Sequence, residues 1–336
     1  MNTSKYETLM GNKIPIILCI DVEPDGFFID KDKPLPWKGF EELCLFFNRS
    51  RKGLEQATQE KVNFSWFFSL SPQVEKTYGA PEWPLTQYQK EIQELRSHGD
   101  ELGLHPHPYR WVPGKNNWIE DRADQDWVNY CVKLAFESYQ KVLGQPCRSF
   151  RFGSVWINNE TLNFANRLGA KVDLTVEPNF KPDAIYPKNG DYAGEYPDYD
   201  DVPRFPYKKA DHNFKMMDTN ANNDLWMIPL TSGNVRYEYG RLERLKRKIF
   251  SPESLKPFPV TLKLSTHPKH FSWIVEEQLK KEVPYITATL RSDAGQSAKQ
   301  LSYATQNVDY LMSHPQAKQF VFSTSEESLK VLDLVK

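Results

Sequence analysis

Short apolar segments alternate with amphipathic segments along most of the chain, and this alternation limits the possible folds more than any other feature. The first apolar segment, IPIILCID at 14–21, is a continuous hydrophobic run that ends in a carboxylate. Such runs are typical of strands buried on both faces of a parallel sheet. Apolar residues at helical spacing follow over 37–60, and VNFSWFFSL at 62–70 is a second strand. This order predicts a βαβ unit with a right-handed crossover.

The same pattern continues toward the carboxyl terminus. Further strands are predicted at 101–105, 148–152, 171–176, 225–230, 260–265, 285–290 and 320–323, and further helices at 84–96, 126–143 and 159–168. About seven or eight strands, with no glycine-rich dinucleotide-binding sequence after the first, favour a (β/α)7–8 barrel over a doubly wound sheet. A barrel of this kind accounts for the whole chain as a single domain, residues 1–336.

Two segments depart from the alternation. Residues 178–224 are rich in Pro, Asp, Asn and Tyr and show little periodicity, which predicts an inserted loop or lid. A surface loop without a function is the alternative. The segment RYEYGRLERLKRK at 236–248 is predicted to form a basic helix, either with a solvated charged face or in contact with a phosphate-bearing substrate.

The composition argues against several classes of partner. With 43 basic and 44 acidic residues the net charge is −1, so no overall field attracts nucleic acid or an anionic membrane. The four cysteines lack CxxC spacing and are interpreted as reduced core residues. The first residues lack the apolar core of a secretory signal, and the longest apolar run, 14–20, is too short to span a bilayer. We therefore expect a cytoplasmic protein without a membrane span.

Two histidines lie two residues apart in the segment SHGDELGLHPHPYRW at 97–111. Residues i and i+2 of an extended backbone face the same side, so His105 and His107 can bind one cation together. A surface loop that happens to contain two histidines is the alternative explanation of this spacing alone.

Other chemically active side chains follow the predicted strands at their carboxyl ends, where parallel barrels place their active sites. The residues in these positions are Asp21, Glu23, Asp25, His105, His107, Arg151, Thr266 and His267. Packing of a hydrophobic core does not require such a set. Together these residues predict a metal site with catalytic groups beside it.

The order of these motifs resembles the polysaccharide deacetylase (NodB-homology) superfamily of carbohydrate esterases. The segments that carry the likeness are CIDVEPDG, VNFSWFFSL, SHGDELGLHPHPY and SFRFGSVWINNETLNFANRLGAKVDLT, so it covers about 14–176 well and the remainder poorly. The resemblance implies a distorted (β/α) barrel. It also implies a metal-dependent hydrolase, usually with zinc, that removes an acyl group from an amide nitrogen of a sugar or polysaccharide.

The resemblance assigns roles by position. Asp21 matches the catalytic base, His105 the first metal-binding histidine and Arg151 the arginine that orients the base. The family's second Asp is Val22 here, so Glu23 or Asp25 would have to supply the metal carboxylate.

Two further positions depart from the family's pattern. The usual second histidine is Tyr109, so His107 would take its place as a metal ligand. His267 is the best candidate for the general acid, although the segment 285–293 lies nearer the expected position and ends without a histidine.

Three alternatives stay open. A carbohydrate-binding barrel or pseudoenzyme would keep the cleft without the chemistry, and the two substituted metal positions favour it. An HxH pair after a strand is also the first motif of PHP-type phosphoesterases, which need more histidines and carboxylates at later strand ends. A glycoside hydrolase with paired carboxylates would cleave a glycosidic bond without metal.

Overall fold

A mostly parallel sheet, with helices between its strands, forms the centre of the computed structural model, which describes residues 13–26, 29–180, 192–194, 198–236, 246–248 and 250–335. The strands are β1 (Ile14–Val22), β2 (Ser65–Phe68), β3 (Glu101–Leu104), β4 (Tyr109–Val112), β5 (Asn117–Asp121), β6 (Ser149–Phe150), β7 (Val172–Asp173), β8 (Tyr192–Ala193), β9 (Tyr207–Lys208), β10 (Trp226–Met227), β11 (Ser232–Val235), β12 (Phe258–Thr261), β13 (Ile286–Arg291) and β14 (Phe320–Phe322). The helices are α1 (Lys38–Thr58), α2 (Pro72–Tyr78), α3 (Trp83–Gln87), α4 (Gln89–His98), α5 (Gln125–Leu143), α6 (Asn159–Arg167), α7 (Pro268–Leu279), α8 (Ala298–Ser313) and α9 (Ser325–Val331).

The strand order of the main sheet is β13-β1-β2-β3-β6-β7-β10-β9, and β14 also pairs with β1. All of these pairs are parallel except β9 with β10. The predicted α/β fold, with parallel strands and helices between them, is confirmed.

The closed barrel that the sequence predicts is not shown. Among the described residues the end strands β13 and β9 do not pair, and β11 and β12 form a separate antiparallel pair. Isolated backbone contacts do reach β13. The Thr231 N–H donates to the Thr287 oxygen (3.1 Å), and an isolated parallel bridge joins Lys263 to Thr289.

The core begins with β1, in which every residue is buried, as its unbroken apolar sequence predicts. Helix α1 packs on the sheet through Phe40, Leu43 and Phe47, which recur at helical spacing and are all buried. A Cβ atom at Gly39 would lie 2.0 Å from the Ser292 carbonyl oxygen. A glycine is therefore required where α1 meets the segment after β13.

A second, small sheet lies beside the carboxyl ends of the main strands. The hairpin β4–β5 follows β3 directly, and β8 pairs parallel with β5. The predicted insert, 178–224, thus contributes β8 to this sheet and β9 to the edge of the main sheet, while 181–191 and 195–197 lie outside the described residues. Most of the basic helix predicted at 236–248 also lies outside them. None of the helices in the described residues is long and apolar enough to cross a membrane.

Candidate active site

The parallel strands bring five of the predicted residues to one edge of the main sheet. Asp21 and Glu23 come from the end of β1, His105 and His107 follow β3, and Arg151 follows β6. All five are buried, with at most 5% of each residue exposed. Side chains of opposite charge therefore meet where little water reaches them, and each strongly affects the ionisation of the others.

Three of these residues form a group suited to a metal ion. Glu23, His105 and His107 each offer one ligand atom, and these atoms all lie within 4.8 Å of one another. Nδ1 of His105 lies 2.7 Å from the Arg151 carbonyl oxygen and must carry the proton of that hydrogen bond. Its Nε2 therefore remains to bind a ligand.

Two neighbouring residues pack closely against the ring of His107. Tyr109 stacks on it with a centroid distance of 4.6 Å and an interplanar angle of 7°. On Gly153 a Cβ atom would lie 2.1 Å from the same ring. A glycine is therefore needed at position 153, because His107 occupies the space that any side chain there would fill.

Asp21 lies between the metal group and Arg151. Its Oδ1 is 3.3 Å from Nε of Arg151 and 3.7 Å from Nδ1 of His105. Burial raises the pKa of Asp21 to about 6, against the opposing charge of Arg151. The carboxylate of Asp21 is thus able to accept a proton close to neutral pH.

Glu23 has a partner that sequence reasoning did not identify. Arg291, the last residue of β13, lies opposite Asp21 in the sheet and places its Nε 3.1 Å from Oε1 of Glu23. Burial acts to raise the pKa of Glu23, but Arg291 and His107 outweigh it and lower the pKa below its usual range. Glu23 is therefore an ionised carboxylate, which is the form that binds a metal.

The two imidazoles differ in charge. Burial, with the nearby charge of His107, lowers the pKa of His105 well below its usual value. Burial also acts to lower the pKa of His107, but the carboxylates of Glu120 and Glu23 raise it to about 9. His107 lies between them, with Nε2 3.3 Å from Glu23 Oε2 and Nδ1 3.5 Å from Glu120 Oε1.

Unpaired polar atoms in this region fit a bound cation. Within the described part of the chain, both ring nitrogens of His107, Oδ1 of Asp21 and both carboxylate oxygens of Glu120 are buried and make no hydrogen bond. Buried polar atoms are ordinarily hydrogen bonded, so such a concentration calls for an explanation. Two imidazoles and a carboxylate are a common donor set for zinc in hydrolases. These residues therefore fit a divalent cation.

The structure does not bring Asp25 and His267 to this group. Asp25 is half-buried and its Oδ1 accepts the Gly39 N–H (3.1 Å) at the start of α1. His267 is exposed, and its ring packs against His270 and Tyr303. Within the described residues neither side chain makes an ion pair or hydrogen bond with the metal group. Glu23 is thus the better placed of the two candidate carboxylates.

Glu177 is another site residue that the sequence did not identify. Its Oε1 lies 3.6 Å from an Arg151 terminal nitrogen, and its Oε2 accepts the Thr261 hydroxyl (2.6 Å). The signal was available, since Asp173, Thr175 and Glu177 alternate along and beyond β7 and share one face. No comparable signal marks Glu120, which reaches His107 only through the hairpin β4–β5.

No family model matches the sequence, and no curated protein matches it significantly. Solved structures do match. A protein from Parabacteroides distasonis, described as a proposed glycoside hydrolase/deacetylase, aligns with 14% identity over 96% of this chain and 71% of its own, with a TM-score of 0.53. A proposed polysaccharide deacetylase from Mycobacterium smegmatis aligns with 12% identity over 96% and 91%, with a TM-score of 0.47. A mutant of a CE4-family pseudoenzyme with restored activity aligns with 9% identity over 95% and 68%, with a TM-score of 0.43.

At these identities the likeness concerns the fold alone. The Parabacteroides distasonis protein, at 0.53, supports the same general arrangement of strands and helices. The chemistry of the site depends on the side chains of this chain.

Proposed function

We propose that this protein is a metal-dependent hydrolase that removes an acyl group from an amide nitrogen of a sugar or polysaccharide. The observation that carries the proposal is the buried group of Glu23, His105 and His107, with Asp21 beside it. A structural core has no need of two imidazoles and two carboxylates at the carboxyl ends of two parallel strands of one sheet. The carbohydrate substrate is supported by the resemblance of the motifs and by the description of the Parabacteroides distasonis protein, which shares the general fold, as a proposed glycoside hydrolase/deacetylase.

Glu23, His105 and His107 would hold the ion, and zinc is the metal that this donor set favours. A divalent ion supplies two things to amide hydrolysis, a lowered pKa for water and polarisation of the amide carbonyl. Nδ1 of His105 faces the Arg151 carbonyl oxygen, and Nδ1 of His107 faces Glu120. Each contact orients its ring and would leave Nε2 to bind the ion.

Asp21 takes the proton of the attacking water in this proposal. Arg151 orients its carboxylate and favours the ionised form, since Nε lies 3.3 Å from Oδ1. Glu177, on the other side of Arg151, limits the directions in which the guanidinium can turn. The contacts of His267 give no support to a role as general acid, so the proton donor to the departing amine is left unassigned.

The first experiment measures metal content by elemental analysis on protein purified without chelator or nickel resin. Wild type is expected to contain about one ion per chain, as a single three-ligand site requires. The variant His105→Ala with His107→Ala is expected to contain none. Acetate release from a panel of N-acetylated amino sugars and their oligomers is then measured for both proteins.

A matched control is His314→Ala, which removes a buried histidine that pairs with Glu276 (3.1 Å) outside the metal group. It is expected to retain the ion. Wild type that takes up no metal even from added zinc or cobalt would contradict the proposal.

A second candidate function is a carbohydrate-binding barrel without catalysis. It is favoured by the burial of Asp21 and His107 and by the position of His267 away from the metal group. Bound metal with no acetate release from any acetylated sugar, together with saturable binding of one of them, would select this second function.

A further inference from the structure

We propose that Glu120 is a positioning residue of the metal site, which accepts the Nδ1 proton of His107 and so presents Nε2 of that ring to the ion. The inference rests on the proposed function, because it requires that Glu23, His105 and His107 hold a cation.

The geometry around His107 leaves one ring nitrogen for the ion and the other for Glu120. Nδ1 faces Glu120 Oε1 at 3.5 Å, and Nε2 faces Glu23 Oε2 at 3.3 Å. Tyr109 stacks on the ring, and a Cβ atom on Gly153 would lie 2.1 Å from it, so the ring is closely packed in this orientation. Glu23 belongs to the metal group, so the nitrogen near it is the one that binds, and Glu120 is left to hold the other.

The burial of Glu120 supports the same assignment. It is completely buried, and neither carboxylate oxygen makes a hydrogen bond within the described residues. A buried carboxylate without a partner is strongly unfavourable, so Glu120 needs a nearby positive charge or proton donor. Among the described residues the ion pair with His107 is the one that supplies it. Carboxylates that orient a metal-binding histidine in this way are common in zinc sites.

Glu120 lies on the hairpin β4–β5, which is not part of the main sheet. Tyr109 and Glu120 are direct partners in the hairpin β4–β5, so one pair of residues supplies both the stacking ring and the carboxylate. On its other side Glu120 is opposite Tyr192 of β8, within the predicted insert 178–224. The insert therefore supports the strand that orients His107.

The test compares zinc affinity in wild type, Glu120→Gln and a control, by competition with a chromophoric chelator. Glu120→Gln keeps the length of the side chain and removes its charge. Loss of such an orienting carboxylate typically weakens metal binding by about 10- to 100-fold. The visible spectrum of the cobalt-substituted protein is expected to change as well, because the ligand field depends on how His107 is held.

Glu101→Gln is the matched control. Glu101 is a partly buried glutamate whose oxygens accept hydrogen bonds from Ser65 and Ser325, with no contact to the metal group. It should bind zinc as wild type does, although its stability falls. Equal zinc affinity in wild type and Glu120→Gln would overturn the role of Glu120 and leave the proposed function intact. Wild type without affinity for zinc would overturn both.

A measurement on wild type covers the case in which Glu120→Gln does not fold. Nitrogen NMR of zinc-loaded protein with labelled histidine reports which ring nitrogen carries a proton. The proposal requires a proton on Nδ1 of His107 and the metal on Nε2. The opposite assignment would overturn it without any variant.

Discussion

Two buried aspartate–arginine pairs have the same chemical composition and different surroundings. In the first, Asp100 accepts two hydrogen bonds from NH2 of Arg51, at 3.0 and 2.8 Å. The Phe64 N–H and the Trp66 indole N–H, each at 3.0 Å, complete its coordination. Both oxygens of Asp100 are thus fully used by fixed donors.

The second pair, Asp21 with Arg151, is much less complete. The nearest approach is 3.3 Å, and in the described part of the chain Oδ1 of Asp21 and Nε of Arg151 make no hydrogen bond. Arg151 also faces Glu177 at 3.6 Å. Asp21 therefore keeps a free lone pair in a buried position.

The difference separates a structural pair from a candidate catalytic one. A carboxylate whose oxygens are all occupied stabilises the fold and has no capacity left for a substrate or proton. A buried carboxylate with an unused oxygen is unfavourable for stability, and such groups concentrate at functional sites. Removing each carboxylate in turn tests this separation.

The largest expected effect is that of Asp21→Asn on activity. Asparagine keeps the shape of the side chain and cannot accept the proton, so acetate release should fall by about 10²- to 10⁴-fold, the usual contribution of a general base. Stability should change less than in Asp100→Asn, because Arg151 retains Glu177 as a partner. Kinetics on the N-acetylated sugar that wild type cleaves, with a urea titration beside them, measure both. Full activity in this variant would remove Asp21 from the mechanism.

Asp100→Asn should have the opposite effect to Asp21→Asn, with a large loss of stability and little change in activity. It leaves Arg51 buried, with no other carboxylate within 4.0 Å among the described residues, and loss of one partner of a buried pair costs roughly 3–5 kcal/mol. We expect this loss in the free energy of unfolding from urea titration. The folded fraction should retain its metal and its specific activity. A fall in metal content with unchanged stability would contradict the structural role.

Asp173 is a third buried aspartate, with hydrogen bonds to both oxygens but no arginine partner at the distance of an ion pair in the described residues. Its substitution has the smallest expected effect of the three. Its oxygens accept the N–H (3.0 Å) and the hydroxyl (2.6 Å) of Thr175, and burial raises its pKa to about 7 against those hydrogen bonds. The folded state therefore holds this proton more tightly than the unfolded chain, whose Asp titrates near 3.9. The contribution of Asp173 is fully present below about pH 4 and is lost as the pH rises through about 7.

The slope expected from this one group is at most about 1.4 kcal/mol per pH unit. Asp173→Asn should lack that part of the slope, so its stability relative to wild type should increase between pH 5 and pH 8. Urea titrations of both proteins at these two pH values give the comparison. An identical pH dependence in the two proteins would show that Asp173 is already ionised in the folded state at pH 5.

The local sequence was sufficient for much of the fold and for most of the metal group. Unbroken apolar runs marked β1 and the following strands, and i, i+2 spacing placed Asp21 with Glu23 and His105 with His107. These features depend on one strand at a time, so a short stretch of sequence contains them. The parallel arrangement then implied that the strand ends would meet.

Local signals were less reliable where an element is interrupted or short. The helix predicted at 84–96 is divided at Tyr88 into α3 and α4, and the hairpin β4–β5 was not predicted. Apolar spacing does not reveal a break at one residue, and two short strands lack a pattern of their own.

Contacts between distant segments were decided by the tertiary structure alone. Arg291 reaches Glu23 because β13 pairs with β1 in one particular register, and Glu120 reaches His107 because a hairpin folds back. The chain also turns His267 toward Tyr303 instead of the metal group. Register and packing depend on the whole set of neighbouring side chains, so no single segment of the sequence specifies them.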